Sequence, residues 1–233
     1  MAAPPLAAPA FSWTGFYLGG TLGADTVKSN EGWTIDPVLN VDVPAAIAVR
    51  EALSAQTLKA TSVFGGPEVG YNLQYGMAVF GVEGDINWGS ASTTSFFPSL
   101  APLFLVPGNN LTEGVDLNWL ATVRGRIGLA WNQFLIYGTG GYAAGGVRFF
   151  DSSHYAAGVT ETADVSKTMS GWVAGGGVEW AFAGNWSVKG EFLHADLGSA
   201  TTFSSLLPAF RVGFSHAHSV TVDVARAGLN YKF

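Results

Sequence analysis

The last stretch of the chain, Asp223 to Phe233, alternates strictly between two kinds of residue. Every second position counted back from Phe233 is apolar, reading F, Y, L, A and A, whereas the positions between them read K, N, G and R. A repeat of two residues is that of a β-strand, because successive side chains of a strand point to opposite faces. The pattern therefore predicts a strand with an apolar environment on one face and a polar environment on the other.

The composition indicates that the apolar environment is a membrane, crossed by strands rather than helices. Only 12% of the 233 residues are charged, against about 25% in soluble domains, and the mean hydropathy is +0.27. The longest uncharged stretch, Ile127 to Val147, is long enough for a membrane helix but contains six glycines and an internal W-N-Q turn. A closed barrel is the other structure that satisfies every backbone group in lipid, so the composition favours a barrel.

The same composition excludes several classes of function and leaves a short segment outside the barrel. There is no cysteine, which excludes disulfides and thiolate metal sites. A net charge of −6 without a basic stripe argues against a nucleic-acid partner. Residues 1–10 are rich in proline and alanine and lack the features of a signal peptide. We expect them to be an extended periplasmic lead-in, and residues 11–233 to form one domain.

Eight alternating segments can be traced along the chain, joined in turn by long and short connections. Short connections and long loops at opposite ends are typical of outer-membrane barrels, and an even strand number leaves no free edge. The chain is therefore predicted to be all-β, an eight-stranded antiparallel up-and-down transmembrane β-barrel. Its four long loops would be extracellular, and its short turns and both termini periplasmic. The predicted strands are Thr14–Ala24, Ala60–Tyr71, Met77–Trp88, Val115–Ala130, Phe134–Val147, Thr168–Phe182, Trp186–Leu197 and a last strand after about residue 216.

Nine charged residues fall on the same face of these strands as the polar and glycine positions. Eight strands enclose a space only wide enough for side chains, so these charges would lie in the interior and pair with one another. An ion-pair network that stabilises the interior is the main interpretation, and a narrow ion path is the alternative. No nucleophile or substrate cleft accompanies them, so no catalytic residue is predicted. The nine are Glu68, Glu83, Asp85, Arg124, Arg126, Glu179, Lys189, Glu191 and Arg226.

Aromatic residues cluster near the predicted strand ends. Amphipathic rings prefer the headgroup level of a bilayer, which predicts an aromatic girdle at the periplasmic interface. Trp88, Trp119, Trp172 and His194 would lie near the outer interface. The predicted periplasmic girdle comprises Trp13, Phe16, Tyr71, Trp131, Trp180, Trp186, Tyr231 and Phe233.

Several motifs in fixed order resemble a known family along every predicted strand. They include W-T-G-F-Y-L-G-G at 13–20, G-V-E-G-D-I-N at 81–87, L-A-T-V-R-G-R-I-G at 120–128, K-G-E-F-L-H-A-D-L-G at 189–198 and A-G-L-N-Y-K-F at 227–233. Together they resemble the alpha-proteobacterial porin-family outer-membrane β-barrel proteins (RopB-like), small relatives of the OmpA-type barrel. The resemblance implies a location in the outer membrane of a Gram-negative cell and a mostly structural or surface role. His194 stands where the family pattern has a tyrosine.

Two of the predicted loops are strongly apolar. Residues 96–107 read F-F-P-S-L-A-P-L-F-L-V-P, and residues 203–210 read F-S-S-L-L-P-A-F. They either pack on each other over the barrel mouth or form a contact surface for lipopolysaccharide, a neighbouring barrel or another protein. The predicted contact residues are Phe96, Phe97, Leu100, Leu103, Phe104, Leu105, Leu206, Leu207 and Phe210.

The histidines give only a weak indication of a ligand. His216 and His218 share one face of a strand, and His154 lies in the third predicted loop. A haem role, suggested by related barrels, is conceivable, but solvated rim residues are the preferred interpretation, and no metal site or cofactor is predicted. The leading hypothesis is a non-enzymatic structural and surface protein of the outer membrane. The alternative is a narrow ion-conducting porin or a surface receptor for haem or another small ligand.

Overall fold

The computed structural model describes residues 11–35, 56–97, 110–155, 159–205 and 213–233. These residues form a closed barrel of eight strands, which confirms the predicted all-β class and strand number. None of the described residues belongs to a helix long and apolar enough to cross a membrane. The strands are β1 (Gly15–Ile35), β2 (Gln56–Tyr75), β3 (Ala78–Phe97), β4 (Asn110–Trp131), β5 (Phe134–Tyr155), β6 (Val159–Ala183), β7 (Trp186–Ser205) and β8 (Gly213–Lys232).

Every strand pairs antiparallel with the next one, and β8 returns to pair with β1. The three tight turns lie at the barrel end that also holds Gly15 and Lys232. They use positive φ angles at Gly76 (60°), Asn132 (52°) and Gly184 (53°), a conformation that glycine and asparagine tolerate best. The three turns are at the predicted positions, but the predicted third long loop is wrong, because only three residues separate β5 from β6.

The strands continue further at the opposite end than the sequence pattern indicated. In the predicted loops at 89–114, 148–166 and 198–216 every described residue belongs to a strand, and β5 ends only at Tyr155 before β6 begins at Val159. Ser and Thr are the commonest of these residues, and Ala91, Phe149 and Ala200 are buried among them, a pattern that suits a strand above the bilayer. Each strand has at least 20 residues, about twice the number needed to cross a membrane, so the barrel extends well beyond the bilayer.

The outer wall of the barrel is apolar around its whole circumference. Leu22, Val82, Val123 and Phe192 are more than half exposed, although each faces away from a filled interior. Large apolar side chains at such exposure require an apolar solvent, because soluble monomers rarely expose continuous patches of this kind. The wall therefore fits hydrocarbon.

The interior is packed with apolar side chains in its outer half. This apolar plug contains side chains from all eight strands, and Val27, Phe149 and Val222 at its centre are almost completely buried. A β-bulge between Leu117 and Trp119 reverses the alternation of β4, so that Leu117 points inward and Asn118 is exposed. Regular alternation along the predicted strand Val115–Ala130 would place Leu117 on the lipid face with Val123 and Ile127, and this expectation is wrong because the bulge shifts side chains by one position. The plug comprises Val27, Leu58, Ala60, Phe64, Ala91, Val115, Leu117, Leu120, Ala143, Val147, Phe149, Met169, Val173, Leu193, Ala195, Leu197, Ala200, Val220, Val222 and Val224.

Candidate functional site

The largest polar cluster of the described residues lies inside the barrel and centres on Arg124. Its guanidinium binds Glu83 in a short ion pair, Asp85 at 2.8 Å between Nη2 and Oδ2, and Glu191 at 3.0 Å between Nη1 and Oε1. Arg124 is 1% exposed, and its three acidic partners are buried as well. One planar cation thus joins carboxylates from β3 and β7 across the interior.

The other three cations complete the network. Arg226 binds Glu191 at 2.7 Å and Asp85 at 3.0 Å, both through Nη2. Arg126 binds Glu179 at 2.8 Å between Nη2 and Oε2. Lys189 Nζ lies 2.6 Å from Glu68 Oε2 and 3.0 Å from Glu83 Oε2. The structure therefore brings all nine predicted residues together, as five acids and four bases.

Neutral side chains satisfy most of the remaining carboxylate oxygens. Tyr17 donates its hydroxyl to Glu83 at 2.6 Å, Tyr137 donates to Glu191 at 3.0 Å, and Thr122 donates to Asp85 at 2.7 Å. The Arg126 guanidinium also lies 3.8 Å from the centre of the Tyr137 ring, a cation–π contact. Sequence reasoning missed the two tyrosines, although both occupy inward positions of their strands.

The periplasmic end of the interior is closed by Trp13. Its side chain is 2% exposed and packs with Leu135 and Tyr137, while its indole N–H donates to the Asn132 carbonyl at 3.2 Å. The prediction that Trp13 belongs to the lipid-facing girdle is therefore wrong. The chain crosses under the barrel mouth before β1 begins at Gly15, whose φ of 142° favours glycine.

The other predicted girdle residues lie on the outer wall at this end. Phe16 and Tyr71 form a tilted ring pair at 4.6 Å, and Trp186 and Tyr231 form an edge-to-face pair at 5.0 Å between ring centres. Trp131, Trp180 and Phe233 are exposed to at least 44%. At the opposite side of the apolar wall, Trp172 contacts His194 at 5.5 Å, which fits the predicted outer interface.

His218 is not a solvated rim residue. It is 1% exposed, its ring stacks on Phe149 at 4.2 Å, and its Nδ1 lies 3.3 Å from Glu31 Oε1. His154 lies in β5 rather than in the predicted third loop, and His216 lies in β8 together with His218. Among the described residues, no group of three or more His, Asp and Glu side chains is placed to hold a metal ion.

Several cations lie on the outer wall above the apolar band. Lys28 binds Asp223 at 2.7 Å, and Asp223 also contacts His194 Nδ1 at 2.6 Å. Lys59 of β2 stands directly opposite Lys28 of β1 and has no acidic partner among the described residues. Like charges placed directly opposite each other destabilise a strand pair unless an anion lies between them.

Arg148 is the third cation at this height and differs from the lysines because acids surround it. It binds Asp164 in a bidentate pair and lies 3.8 Å from Asp116. The hydrogen bonds from its guanidinium hold the pKa of Asp164 below its usual range. On this part of the outer wall, Arg148 thus contacts two acids, Lys28 contacts one, and Lys59 contacts none among the described residues.

The predicted loop contact residues lie mostly outside the described part of the chain. Phe96 is in β3 with its side chain 61% exposed, and Phe97 is the last residue of that strand. The predictions for Leu100, Leu103, Phe104, Leu105, Leu206, Leu207 and Phe210, and for the lead-in at 1–10, concern residues that the structure does not describe.

Comparison with known sequences agrees with the fold. A family profile described as outer membrane protein beta-barrel domain matches residues 1–233. The 31 kDa outer-membrane immunogenic protein of Brucella melitensis is 34% identical over 98% of this chain and 88% of its own length. The 22 kDa outer membrane protein of Rhizobium leguminosarum is 31% identical over 82% of this chain and 67% of its own length.

Solved structures show the same kind of barrel at low sequence identity. The outer membrane protease OmpT of Escherichia coli is 11% identical with a TM-score of 0.50, covering 97% of this chain and 99% of its own. Neisserial surface protein A is 12% identical with a TM-score of 0.39, covering 94% and 98%. At 11% identity the likeness to OmpT concerns the fold alone and says nothing about activity.

Proposed function

Because this chain belongs to the outer membrane protein beta-barrel family, we propose that it is a structural and surface protein of the outer membrane, non-enzymatic and closed to solutes. Its location in the outer membrane of a Gram-negative cell follows from the family and from the eight-stranded barrel. The proposal concerns what the barrel does there. It assigns the function to the outer wall and the outer end of the barrel rather than to the interior.

The filled interior is the observation that carries this proposal. A solute entering from the periplasm would meet Trp13, then the ion-pair network around Arg124, and then the apolar plug around Phe149. Opening an aqueous path would require the separation of buried ion pairs. This costs free energy, because each separated charge would remain in the interior without a partner of opposite charge. The arrangement argues against the alternative of a narrow porin. The haem hypothesis uses His216 and His218 as a pair, but His218 is buried rather than exposed at the outer end of the barrel.

Conductance of the purified protein in planar bilayers tests the closed interior. We expect no steady single-channel openings at neutral pH, because the network and the plug both close the lumen. The double variant Leu193→Gly/Val224→Gly, which opens space only in the outer half, should stay closed as well, because the ion-pair network still fills the inner half. Steady openings of the wild-type protein that change on Arg124→Gln substitution would instead establish a pore through the network.

Lipopolysaccharide is the partner proposed for the outer wall. Lys28 and Lys59 face each other at the height where a phosphate group of the outer leaflet would lie, just beyond the apolar residues of β1 and β2. The hydroxyls of Thr26 and Thr61, 3.1 Å apart, lie two residue pairs below them on the same face of the sheet. Two lysines with adjacent hydroxyl groups match the charge and hydrogen-bond acceptors of a phosphate.

Removal of one lysine should weaken this contact. Lys59→Gln is expected to reduce the affinity for diphosphoryl lipid A about fivefold, since a lysine near an anionic surface contributes about 1 kcal/mol. Native mass spectrometry of the protein titrated with diphosphoryl and dephosphorylated lipid A measures the difference. Lys232→Gln makes the same charge change at the opposite end of the barrel and should have no effect. Equal losses in both variants would contradict a rim site.

The apolar loops remain a proposed contact surface for another protein or a neighbouring barrel. Phe96 supports this for the β3–β4 connection, because its ring is mostly exposed at the outer end of β3. No nucleic-acid partner and no cofactor enter the proposal.

A further inference from the structure

The hydrogen-bonded pairing between neighbouring strands of the barrel is interrupted at two places above the apolar wall. Pairing between β2 and β3 ends at Phe64 and Gly89, and pairing between β6 and β7 ends at Trp172 and Asp196, although all four strands continue outward. Within the described ranges, residues 57–63 have no partners in 90–97. The outer part of the barrel therefore divides into two four-stranded sheets, β7–β8–β1–β2 and β3–β4–β5–β6. The two clefts between them lie on opposite sides of the barrel, four strands apart.

A repeated sequence accounts for both clefts. The tripeptide G-S-A occurs at 89–91 in β3 and at 198–200 in β7. At both places the register with the following strand shifts by one residue, between Trp88 and Ala91 and between Asp196 and Ser199. A β-bulge bends its strand and ends regular pairing, here with the preceding strand. At the second site Gly198 has a φ of 77°, and its N–H donates to Asp196 Oδ1 at 2.8 Å.

From residue 90 onward β3 has no paired neighbour on its β2 side among the described residues, and this free edge carries none of the features that normally block an exposed strand. From Ser90 to Phe97 it reads S-A-S-T-T-S-F-F, without charge or proline, and Ser90, Ser92 and Thr94 are exposed on its outer face. The edges across the clefts do carry lysines, Lys59 in β2 and Lys167 in β6. Natural proteins protect edges with lysine, proline or very short strands, because unpaired N–H and C=O groups bind another strand. An unprotected eight-residue edge is therefore suited to binding.

We propose that the β3 edge, residues 90–97, is a strand-addition site for an extended segment of another protein at the cell surface. The ligand supplies main-chain hydrogen bonds to the free edge, and its alternate side chains pack beside Ser92, Thr94 and the exposed ring of Phe96. β-branched and other uncharged residues fit these neighbours best. The corresponding edge of β7, residues 199–205, is likewise free of charge and proline and is a second site of the same kind.

A second copy of this chain fits the edge less well than a separate polypeptide. Two copies in one membrane, related by a two-fold axis along the bilayer normal, would bring their β3 strands together in parallel. Parallel pairing is the weaker ladder, whereas a free segment can bind antiparallel. The proposal is independent of the lipopolysaccharide contact, since the cleft edge and the Lys28–Lys59 pair use different groups.

The test uses the full chain in detergent without lipopolysaccharide and a fluorescent nine-residue peptide of alternating threonine and valine with blocked ends. We expect saturable binding by fluorescence anisotropy. In the bound state, hydrogen exchange should slow in residues 90–97 and remain unchanged in the corresponding outer part of β4. A peptide of the same sequence with N-methyl groups on alternate residues should bind more than about tenfold more weakly, because it loses several main-chain donors.

Two proline variants of the protein provide the matched control. Consecutive N–H groups of a strand point to opposite sides. Of the two substitutions Ser92→Pro and Thr93→Pro, one therefore removes a donor from the free edge, and the other removes a donor from the pairing between β3 and β4. In the variant that keeps its unfolding midpoint, peptide binding at the β3 edge, measured by the slowed exchange of residues 90–97, should weaken more than about tenfold, while the β7 edge still binds. Equal protection of residues 90–97 in that variant, equal binding of the N-methylated peptide, or protection mapping outside both edges would overturn the proposal. Concentration-dependent dimers that protect the β3 edge without any peptide would also overturn it, because the occupant would then be a second copy.

Discussion

Replacement of Arg124 by methionine should lower the free energy of unfolding by about 3–5 kcal/mol, because breaking a buried pair leaves its partners charged and uncompensated. Methionine keeps much of the volume but removes the donors to Glu83, Asp85 and Glu191, which all stay buried. The measurement is the urea midpoint in detergent micelles, followed by the electrophoretic shift between folded and heat-denatured barrel.

Arg148→Met is the matched control for this variant. It removes the same guanidinium and also breaks ion pairs, but its side chain is 43% exposed and lies on the outer wall. Exposed ion pairs are screened by water, so the unfolding midpoint should scarcely change. Combining Arg124→Met with Asp85→Asn should restore part of the loss, since one uncompensated carboxylate disappears. A loss as large for Arg148 as for Arg124 would contradict a buried network as the source of stability.

The interior network could be predicted because it depends only on strand periodicity. Charges separated by even numbers of residues, such as Glu83 with Asp85 or Arg124 with Arg126, must share a face within a regular strand. Eight strands leave no room for water around that face, so pairing follows. Which acid meets which base depends on the stagger between strands, and no single strand contains that information.

The errors arose where the regular repeat is broken. Leu117 faces inward because a bulge adds one residue to β4, and Trp13 faces inward because the chain turns beneath the barrel before β1. The outer strand extensions were interpreted as loops because Ser and Thr dominate residues 90–95 and 199–202. Their strand character comes from pairing with β4 and β8, a tertiary effect that composition does not reveal.

The apolar plug was missed for a related reason, and it changes what the barrel can do. The plug residues alternate with polar residues of the extracellular extensions, just as the lipid-facing residues alternate with polar residues lower on the strands. In the plug, however, the apolar residues face inward and the polar residues face outward. Above the bilayer the environment outside is water, and apolar residues therefore turn inward. The outer half of the barrel is thus packed like a soluble β-protein. The sequence of its strand edges and outer surface can therefore vary without exposing the ion-pair network below the plug.

Phe149→Ala should therefore destabilise the protein as a core substitution does, by about 3–5 kcal/mol. Phe149 is 1% exposed, belongs to the plug and stacks on His218, so alanine leaves a cavity that the surrounding strands fill only in part. Phe150→Ala is the control, because Phe150 follows on the same strand, points to the opposite face and is only half-buried. The urea midpoint and hydrogen exchange of β8 near His218 should change in the first variant and little in the second. Equal midpoints for both variants would mean that the outer half is not a packed core, and the closed interior would then rest on the ion-pair network alone.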